Sequence, residues 1–283
     1  MSMNGQNLFE LEDHFIILRT RKLVTDVHLS QYHSHETYEM YYLLDGVRSY
    51  FIRDRTYVLE KGDMVMIDRH DIHKNIDKEN EVREGILVAF NRQFLEHDLL
   101  QPILDEILET FTRTKLFRFT AAEQSFIESL LLKMVREHGK KDFGYLVYLK
   151  ATMMELLVWL KRKNESVSRI TVRHANSIHE KISDIVKHIN QTYMEELTLA
   201  GISQTFYISP YHLSRMFKEV TGFTFIEYIH SVRTLESQKL LRDTNLNVTE
   251  IAQQVGFDSS THFGRVFKEQ VGCSPLKYRK QYK

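Results

Sequence analysis

The sequence predicts an α+β protein, with a β-barrel or sandwich plus helices in its N-terminal part and an all-helical C-terminal domain. Short β-rich runs separated by turn residues occur up to about residue 90, whereas apolar residues recur with helical periodicity from residue 121 onwards. The helical part also repeats itself, since LSRMFKEVTG at residues 213–222 returns as FGRVFKEQVG at residues 263–272. A chain of 283 residues is long enough for two domains that each bury a core.

Composition and charge restrict the class of protein. Lysine plus arginine and aspartate plus glutamate number 38 each, so binding of nucleic acid by bulk charge is disfavoured and any DNA contact must be local. Cys273 is the single cysteine, and residues 1–13 are polar and acidic, unlike a signal peptide, so we expect a reducing, cytoplasmic location. The longest apolar stretch, residues 146–160, is too short for a membrane span.

The β-rich runs lie at residues 40–44, 49–52, 64–67 and 86–90. Asp45-Gly46 separates the first two runs and is typical of a two-residue hairpin of type I′, in which both central residues have positive φ. The tripeptide Lys61-Gly62-Asp63 marks another turn. These signals predict an antiparallel barrel or sandwich.

Two helices follow the β-rich region. A polar turn near Gly139 ends the first helix, whose apolar stripe consists of Ile127, Leu130, Leu131 and Met134. The second helix repeats apolar residues at the spacing of a coiled-coil seam, at Leu146, Leu149, Met153, Leu156 and Leu160. Such a seam packs either within its own domain or against a second copy of the chain. We favour the second copy and therefore expect a homodimer.

Residues 161–175 are charged, contain serine and have few apolar side chains, which predicts an interdomain linker. The N-terminal domain then spans residues 1–160 and the C-terminal domain residues 176–283. A new amphipathic helical pattern begins near Ile178, and nearly everything after it has helical periodicity.

Each copy of the repeat has the pattern of a helix-turn-helix. In the first copy, residues 199–206 form a short helix, residues 207–208 a tight turn, and Ser209 caps a second helix that Pro210 opens at its first position. Residues 224–227 have the form of a capping box and begin a long helix between the copies. The second copy places its helix, turn and restart at residues 248–255, 256–257 and 258–260.

The second helix of each copy presents polar side chains on the face opposite its apolar stripe. Arginine can donate two hydrogen bonds to guanine, while serine, threonine and histidine can bind phosphates or base edges. The candidate DNA-contacting residues are Tyr211, His212, Ser214, Arg215 and Lys218 in the first copy and Ser259, Thr261, His262, Arg265 and Lys268 in the second.

The C-terminal motifs are Ile251-Ala252, Val255-Gly256-Phe257, Phe263, Arg265-Val266-Phe267-Lys268, Gly272, Pro275 and Tyr278. Together they resemble the signature of the AraC/XylS family of bacterial transcriptional regulators, over residues 182–282. The resemblance implies seven helices, with two helix-turn-helix units joined by a rigid linker helix and bound to two successive major-groove segments. The chain has Ser203 and Ser237 where the family usually has alanine. Both hydroxyls can bond to helix carbonyls one turn earlier, so we expect modest local softening of the helices and no loss of the fold.

A histidine-rich set stands out in the N-terminal domain. His33, His35 and Glu39 have the same parity on an extended strand, so their side chains project to one face, and a second strand near His73 could supply a fourth group. The spacing resembles the two motifs of the cupin fold. Two roles remain open for these four residues: they ligate a divalent metal (zinc, nickel, iron or manganese), or they hydrogen-bond an organic effector.

The family resemblance also implies a cupin-like sensor domain that binds a small effector, often a sugar. Stacking on a sugar ring would suit Tyr32, Tyr38, Tyr42 and Tyr50. The expected function is sequence-specific DNA binding by a transcriptional activator that responds to a sugar or oligosaccharide. The expected partners are double-stranded DNA, the effector, a second copy of the chain and RNA polymerase.

Two other classes of protein share part of this pattern. A metallo-cupin would use its metal for catalysis or would sense the metal itself. An architectural DNA-binding protein would lack a sensor. The two helix-turn-helix units disfavour an enzyme, and the pocket-forming N-terminal half disfavours a purely architectural protein. We therefore expect no enzymatic activity.

Overall fold

The computed structural model describes residues 15–23, 37–76, 82–96, 101–166 and 177–282. Within these ranges, eight strands form a five-stranded antiparallel sheet of order β1-β7-β2-β5-β8 and a three-stranded one of order β4-β3-β6. The four predicted runs are confirmed as parts of β2, β3, β5 and β7. The strands are β1 (Phe15–Leu23), β2 (Tyr38–Asp45), β3 (Arg48–Ile52), β4 (Arg55–Leu59), β5 (Met64–Ile67), β6 (His73–Ile76), β7 (Val82–Phe90) and β8 (Leu116–Phe117).

The predicted hairpin at Asp45-Gly46 is wrong. β2 pairs with β5 and β7, whereas β3 pairs with β4 and β6, so the dipeptide connects the two sheets and does not join paired strands. Of the two residues only Gly46 has positive φ, at 90°, which also rules out a type I′ turn. A Cβ at Gly46 would lie 2.7 Å from the carbonyl oxygen of Val82, so the connection passes too close to β7 for any other residue.

Successive side chains along each strand point to opposite faces of its sheet. On β2, Met40 and Tyr42 pack against helices, while Tyr41 and Leu43 face the region between the two sheets. We call this region the inter-sheet space, and its buried lining comprises Tyr41, Leu43, Tyr50, Ile52, Tyr57, Leu59, Val65 and Ile67. The two sheets therefore form the predicted sandwich.

Four helices cover the other face of the five-stranded sheet, namely α1 (Arg92–Leu95), α2 (Gln101–Arg113), α3 (Ala121–Lys140) and α4 (Tyr145–Ser166). The predicted α3 stripe is confirmed as buried. On α4, Leu149, Met153, Leu156 and Leu160 are also fully buried and share the core with that stripe. The seam thus packs inside its own domain, and the prediction that it joins two copies is wrong. Only Leu146 of the seam is exposed, at 47%.

Two predicted boundaries also shift. Gly139 lies within α3, and the turn comes at Lys141, which caps the helix in the left-handed conformation with φ 54°. Helix α4 continues to Ser166, so the first six residues assigned to the linker are helical. The rest of the predicted linker, residues 167–175, lies outside the described residues.

Residues 177–282 form seven helices, the number that the family resemblance implied. They are α5 (Ser177–Thr192), α6 (Leu199–Thr205), α7 (Pro210–Thr221), α8 (Phe225–Asp243), α9 (Val248–Gln254), α10 (Ser260–Val271) and α11 (Pro275–Tyr282). The two helix-turn-helix units are α6–α7 and α9–α10, and α8 is the linker helix. Among the helices of the described ranges, none has the length and apolar character needed to cross a bilayer.

The outer face of the three-stranded sheet packs against α5, α7 and α8 of the C-terminal domain, and we call this contact the domain interface. Phe51 of β3 lies edge-on to Phe223 and Tyr228, at centroid distances of 6.1 and 6.0 Å. The Tyr228 hydroxyl donates to the carbonyl oxygen of Arg53 at 3.1 Å. The Thr56 hydroxyl donates to the carbonyl oxygen of Val220 at 2.7 Å, so α7 is tied to the sheet directly.

Candidate DNA-binding surface and ligand site

The first helix-turn-helix unit has the predicted local geometry. Tyr207 adopts φ 51° in the turn, and the Ser209 side chain accepts a hydrogen bond from the backbone N–H of His212 at 3.3 Å. Pro210 occupies the first turn of α7, where a missing N–H costs nothing. The turn and the cap together fix where α7 begins relative to α6.

Helix α7 buries its apolar stripe and exposes every residue that the sequence assigned to DNA. Tyr211 is 79% exposed, and its exposed neighbours on the helix are His212, Ser214, Arg215 and Lys218. Four of these five, with Glu219 as the remaining wall, line one surface depression. The arrangement offers two cations, an aromatic ring and hydroxyl groups on one helix face, which suits a DNA groove.

Helix α10 repeats this arrangement less completely. Thr261, Arg265 and Lys268 are exposed, and Ser259 is the N-cap whose side chain accepts from the N–H of His262 at 3.2 Å. The His262 ring is half-buried and packs edge-on against His230 of α8, at a centroid distance of 5.3 Å. His262 therefore contacts the linker helix as well as lying beside the predicted DNA surface.

The contact between α8 and α10 is sensitive to charge. Burial, followed by the nearby His262, Arg233 and Arg265, lowers the pKa of His230 to about 4. His230 is therefore neutral at pH 7, when its ring stacks on Phe257 at 5.7 Å. A neutral ring here lets α8 hold the second unit without placing a further positive charge beside Arg265.

Helix α8 connects the two units. Its 19 residues span about 28 Å, close to the roughly 34 Å of one turn of DNA. Arg233 in its middle donates to the carbonyl oxygens of Tyr193 and Glu195 at 2.8 Å each, and its guanidinium lies over the Phe257 ring. This role of Arg233 was not predictable from the sequence, because an arginine in a helix is ordinarily solvated.

The structure brings two of the four proposed ligands together. His73 Nε2 lies 3.6 Å from Glu39 Oε2, and both side chains are 12% exposed. His73 Nδ1 lies 2.9 Å from the carbonyl oxygen of Asp71; since a carbonyl only accepts, Nδ1 carries a proton and Nε2 faces Glu39. His33 and His35 lie outside the described residues. Within the described residues, no group of three or more histidine, cysteine or acidic side chains could hold a metal.

The predicted stacking tyrosines divide between two environments. Tyr38 and Tyr42 face the helices, and the Tyr42 hydroxyl donates to Glu128 at 2.9 Å, so the prediction that they stack on an effector is wrong. Tyr50 faces the inter-sheet space as required, while Tyr32 lies outside the described residues. The prediction missed Tyr41, although the parity argument that placed Glu39 also places Tyr41 two residues along the same face.

Two protein-family profiles match the two parts of this chain. A profile described as "Helix-turn-helix domain" matches residues 202–281, which contain α7, α8 and α10. A profile described as "AraC-like ligand binding domain" matches residues 24–101, which contain Glu39, His73 and strands β2 to β7. The matched ranges agree with the division into a sandwich and a helical domain.

Curated relatives match most of the chain. The transcriptional activator RhaR of Mannheimia succiniciproducens is 23% identical over 88% of this chain and 87% of its own length. The uncharacterized regulator YdiP of Escherichia coli is 27% identical over 89% and 80%. Among solved structures, apo ToxT from Vibrio cholerae aligns with 95% of this chain and 98% of its own, at 16% identity and a TM-score of 0.41.

Both family profiles and both curated relatives point to one kind of protein. The relatives are transcriptional regulators and not enzymes, and the order of the two domains is that of a sensor followed by a DNA-binding domain. The chain therefore combines an AraC-like ligand-binding domain with an AraC-type helix-turn-helix domain and is a DNA-binding transcriptional regulator.

Proposed function

We propose that the protein activates transcription by placing α7 and α10 in successive major-groove segments on one face of its DNA site. The observation that carries this proposal is the matched exposure of Arg215 and Lys218 on α7 and of Arg265 and Lys268 on α10. Activation is supported by relatives named as transcriptional activators, and RNA polymerase is the partner that activation requires. A cytoplasmic location follows from that role.

The activating signal in this proposal is a small organic effector, of the sugar or oligosaccharide class, bound in the inter-sheet space. Support comes from the ligand-binding family match and from the three tyrosine rings, Tyr41, Tyr50 and Tyr57, that face this space. The domain interface gives the effector a short route to DNA binding, because β3 contributes Tyr50 to the inter-sheet space and Phe51 to the contact with α8.

We further propose that the protein is a homodimer, joined at the start of α4. Phe143, Leu146, Val147 and Tyr148 are exposed by 46% or more, and they lie within six residues of one another. An apolar surface of this kind is characteristic of a protein contact. A second copy is the chosen partner because a two-fold axis would let the same patch cover itself.

Sequence-selected binding followed by footprinting of the full chain tests the DNA-binding proposal. We expect two protected segments, about one helical turn apart and on one face of the duplex. Inserting half a helical turn of DNA between the two segments should weaken binding, since α8 connects α7 and α10 at a fixed separation. A single protected segment, or binding that is indifferent to this spacing, would contradict the tandem arrangement.

A second candidate is that the domain senses a divalent metal. The specific observation is the orientation of His73, whose Nδ1 donates to a carbonyl while Nε2 faces Glu39, as in metal-binding histidines. His33 and His35 would complete the ligand set. Metal content measured by plasma mass spectrometry should be stoichiometric in the tag-free parent and low in His35→Ala and His73→Ala. Absence of metal from a parent grown with ample metal would reject this candidate.

A further inference from the structure

Arg48 directs a cation into the inter-sheet space. It begins β3 and has the parity of Tyr50 and Ile52, which both line that space, whereas Phe51 faces the domain interface. The guanidinium carbon of Arg48 lies 4.5 Å from the ring centroid of Tyr41 and 4.8 Å from that of Tyr50. Two aromatic faces therefore hold the planar guanidinium in a fixed orientation.

Arg83 brings a second cation to the same end of the sandwich. It is 8% exposed, and alternation along β7 places it on the face that Leu87 presents to the inter-sheet space. An ideal Cβ on Gly46 would lie 3.2 Å from the Cβ of Arg83, and Gly46 is only two residues from Arg48. Arg83 therefore adds a second buried positive charge on this face of the sheet.

The opposite end of the same space has different chemistry. Ile52 pairs with His73, and Ile52 lies four residues, or about 13 Å, along β3 from Arg48. Glu39 and His73 meet at that end, and between the two ends lie the rings of Tyr41 and Tyr50. The space is therefore cationic at one end, aromatic in its middle and able to hydrogen-bond hydroxyl groups at the other end.

We propose that the effector is a small hydroxylated carboxylic acid of the sugar-acid class. Its carboxylate accepts hydrogen bonds from Arg48, reinforced by the charge of Arg83, because a fixed guanidinium matches a carboxylate in geometry and charge. Tyrosine rings pack on the apolar face of its carbon skeleton, and Glu39 and His73 bind its hydroxyl groups. This inference rests on the proposed function, since it requires that the effector enters the inter-sheet space.

The test compares acids with their neutral counterparts on the full chain by isothermal titration calorimetry. The probes are D-glucuronate with D-glucose and D-galacturonate with D-galactose. We expect at least one acid to bind and its neutral partner to bind at least about 10-fold more weakly, because a charged hydrogen bond is lost. The assignment is overturned if neither acid binds, or if a neutral sugar binds as tightly as its acid.

Variants identify the carboxylate-binding group. Arg48→Met should weaken binding of the acid about 10- to 100-fold. Arg48→Lys should weaken it less, because lysine keeps the positive charge but cannot donate the two parallel hydrogen bonds of a guanidinium group. Arg113→Met, which removes an arginine with a 63% exposed side chain, should change nothing. If Arg48→Met fails to fold by circular dichroism, Arg48→Lys decides, and unchanged affinity in that variant overturns the role of Arg48.

Footprinting the same preparations separates this inference from the proposed function. Specific DNA binding without binding of any acid overturns the sugar-acid assignment alone. Loss of specific DNA binding by the parent chain would instead overturn the proposed function.

Discussion

Two serines that replace the family's usual alanines lie in different environments. The Ser237 hydroxyl donates to the carbonyl oxygen of Thr234 at 2.7 Å, as predicted. The Ser203 hydroxyl is buried and has no hydrogen-bond partner among the described residues, so the same prediction is wrong at this position. A buried hydroxyl without a partner costs about 1–3 kcal/mol. Ser203 is therefore a local weakness in the first helix of the first unit.

Replacing Ser203 by alanine should stabilise the C-terminal domain. We expect Ser203→Ala to raise its free energy of unfolding by about 1 kcal/mol, because the variant no longer buries an unsatisfied hydroxyl. Ser237→Ala is the matched control, since it removes a hydroxyl that is hydrogen-bonded, and it should not raise stability. Urea unfolding followed by circular dichroism measures both. Equal shifts in the two variants would show that the Ser203 hydroxyl is satisfied in solution.

The arginines of the two recognition helices should report on different parts of the DNA site. Arg215→Ala and Arg265→Ala should each weaken specific binding by about 1–3 kcal/mol if they contact bases, each relaxing base preference in a different half. Lys218→Ala is the control for phosphate contact and should weaken binding to all sequences alike. Selection of binding sites from random DNA measures these preferences. Changes at the same base positions in both arginine variants would contradict the tandem-reader arrangement.

At the scale of elements, α4 shows what periodicity can and cannot predict. An apolar stripe at helical spacing indicates that a helix is buried along one face, but it does not identify the partner. Here α3, α2 and the five-stranded sheet cover Leu149, Met153, Leu156 and Leu160. The exposed faces of α7 and α10 were predictable because a solvated face needs no partner. Arg48 was not, since only strand pairing shows that it enters the inter-sheet space.

A charge in the buried stripe of α4 should unfold the N-terminal domain. Leu156→Lys should lower its free energy of unfolding by more than about 3 kcal/mol, because the stripe is fully buried and an ammonium group there has no partner. Val147→Lys, on the 74% exposed end of the same helix, should leave the fold intact. Thermal unfolding compares the two variants. A folded Leu156→Lys protein would contradict this packing and would indicate that the stripe lies at an interface between two copies of the chain.

The Val147→Lys variant also tests the proposed dimer. Light scattering should show a mass near twice 33.7 kDa for the parent and near 33.7 kDa for the variant. A charge in the centre of the exposed apolar patch opposes its own copy across a two-fold axis. A parent that is already monomeric would remove the dimer from the proposed function.

At the scale of the whole molecule, the domain interface makes the sensor and the first DNA-binding unit one packed body. Phe51 and Ile72 share a core with residues of α5, α7 and α8. In the sequence, nothing distinguishes either residue from an apolar strand or turn residue that packs within its own domain. For this reason the division into two domains was predictable from periodicity, whereas the contact between them was not.

Weakening the domain interface should loosen the first unit without unfolding the sandwich. Phe51→Ala removes the ring that packs against Phe223 and Tyr228. This change should lower the free energy of unfolding by up to about 3 kcal/mol. Val58→Ala is the matched control, because Val58 lies on the same outer face but is 46% exposed. Hydrogen exchange should be faster in α5 and α8 of the Phe51 variant only. Equal exchange in both variants would show that the contact contributes nothing in solution.

The five residues of β3 have a consequence for the engineering of biosensors. Positions 48, 50 and 52 face the inter-sheet space, and position 51 faces the DNA-binding domain. Strand β3 therefore separates the two regions and contributes side chains to both. Libraries confined to the even positions should change which compound is recognised. Substitutions at position 51 should change the gain of the response at constant ligand selectivity. The choice of ligand and the size of the transcriptional response could then be changed separately within these five residues, because alternate side chains of the strand face different parts of the molecule.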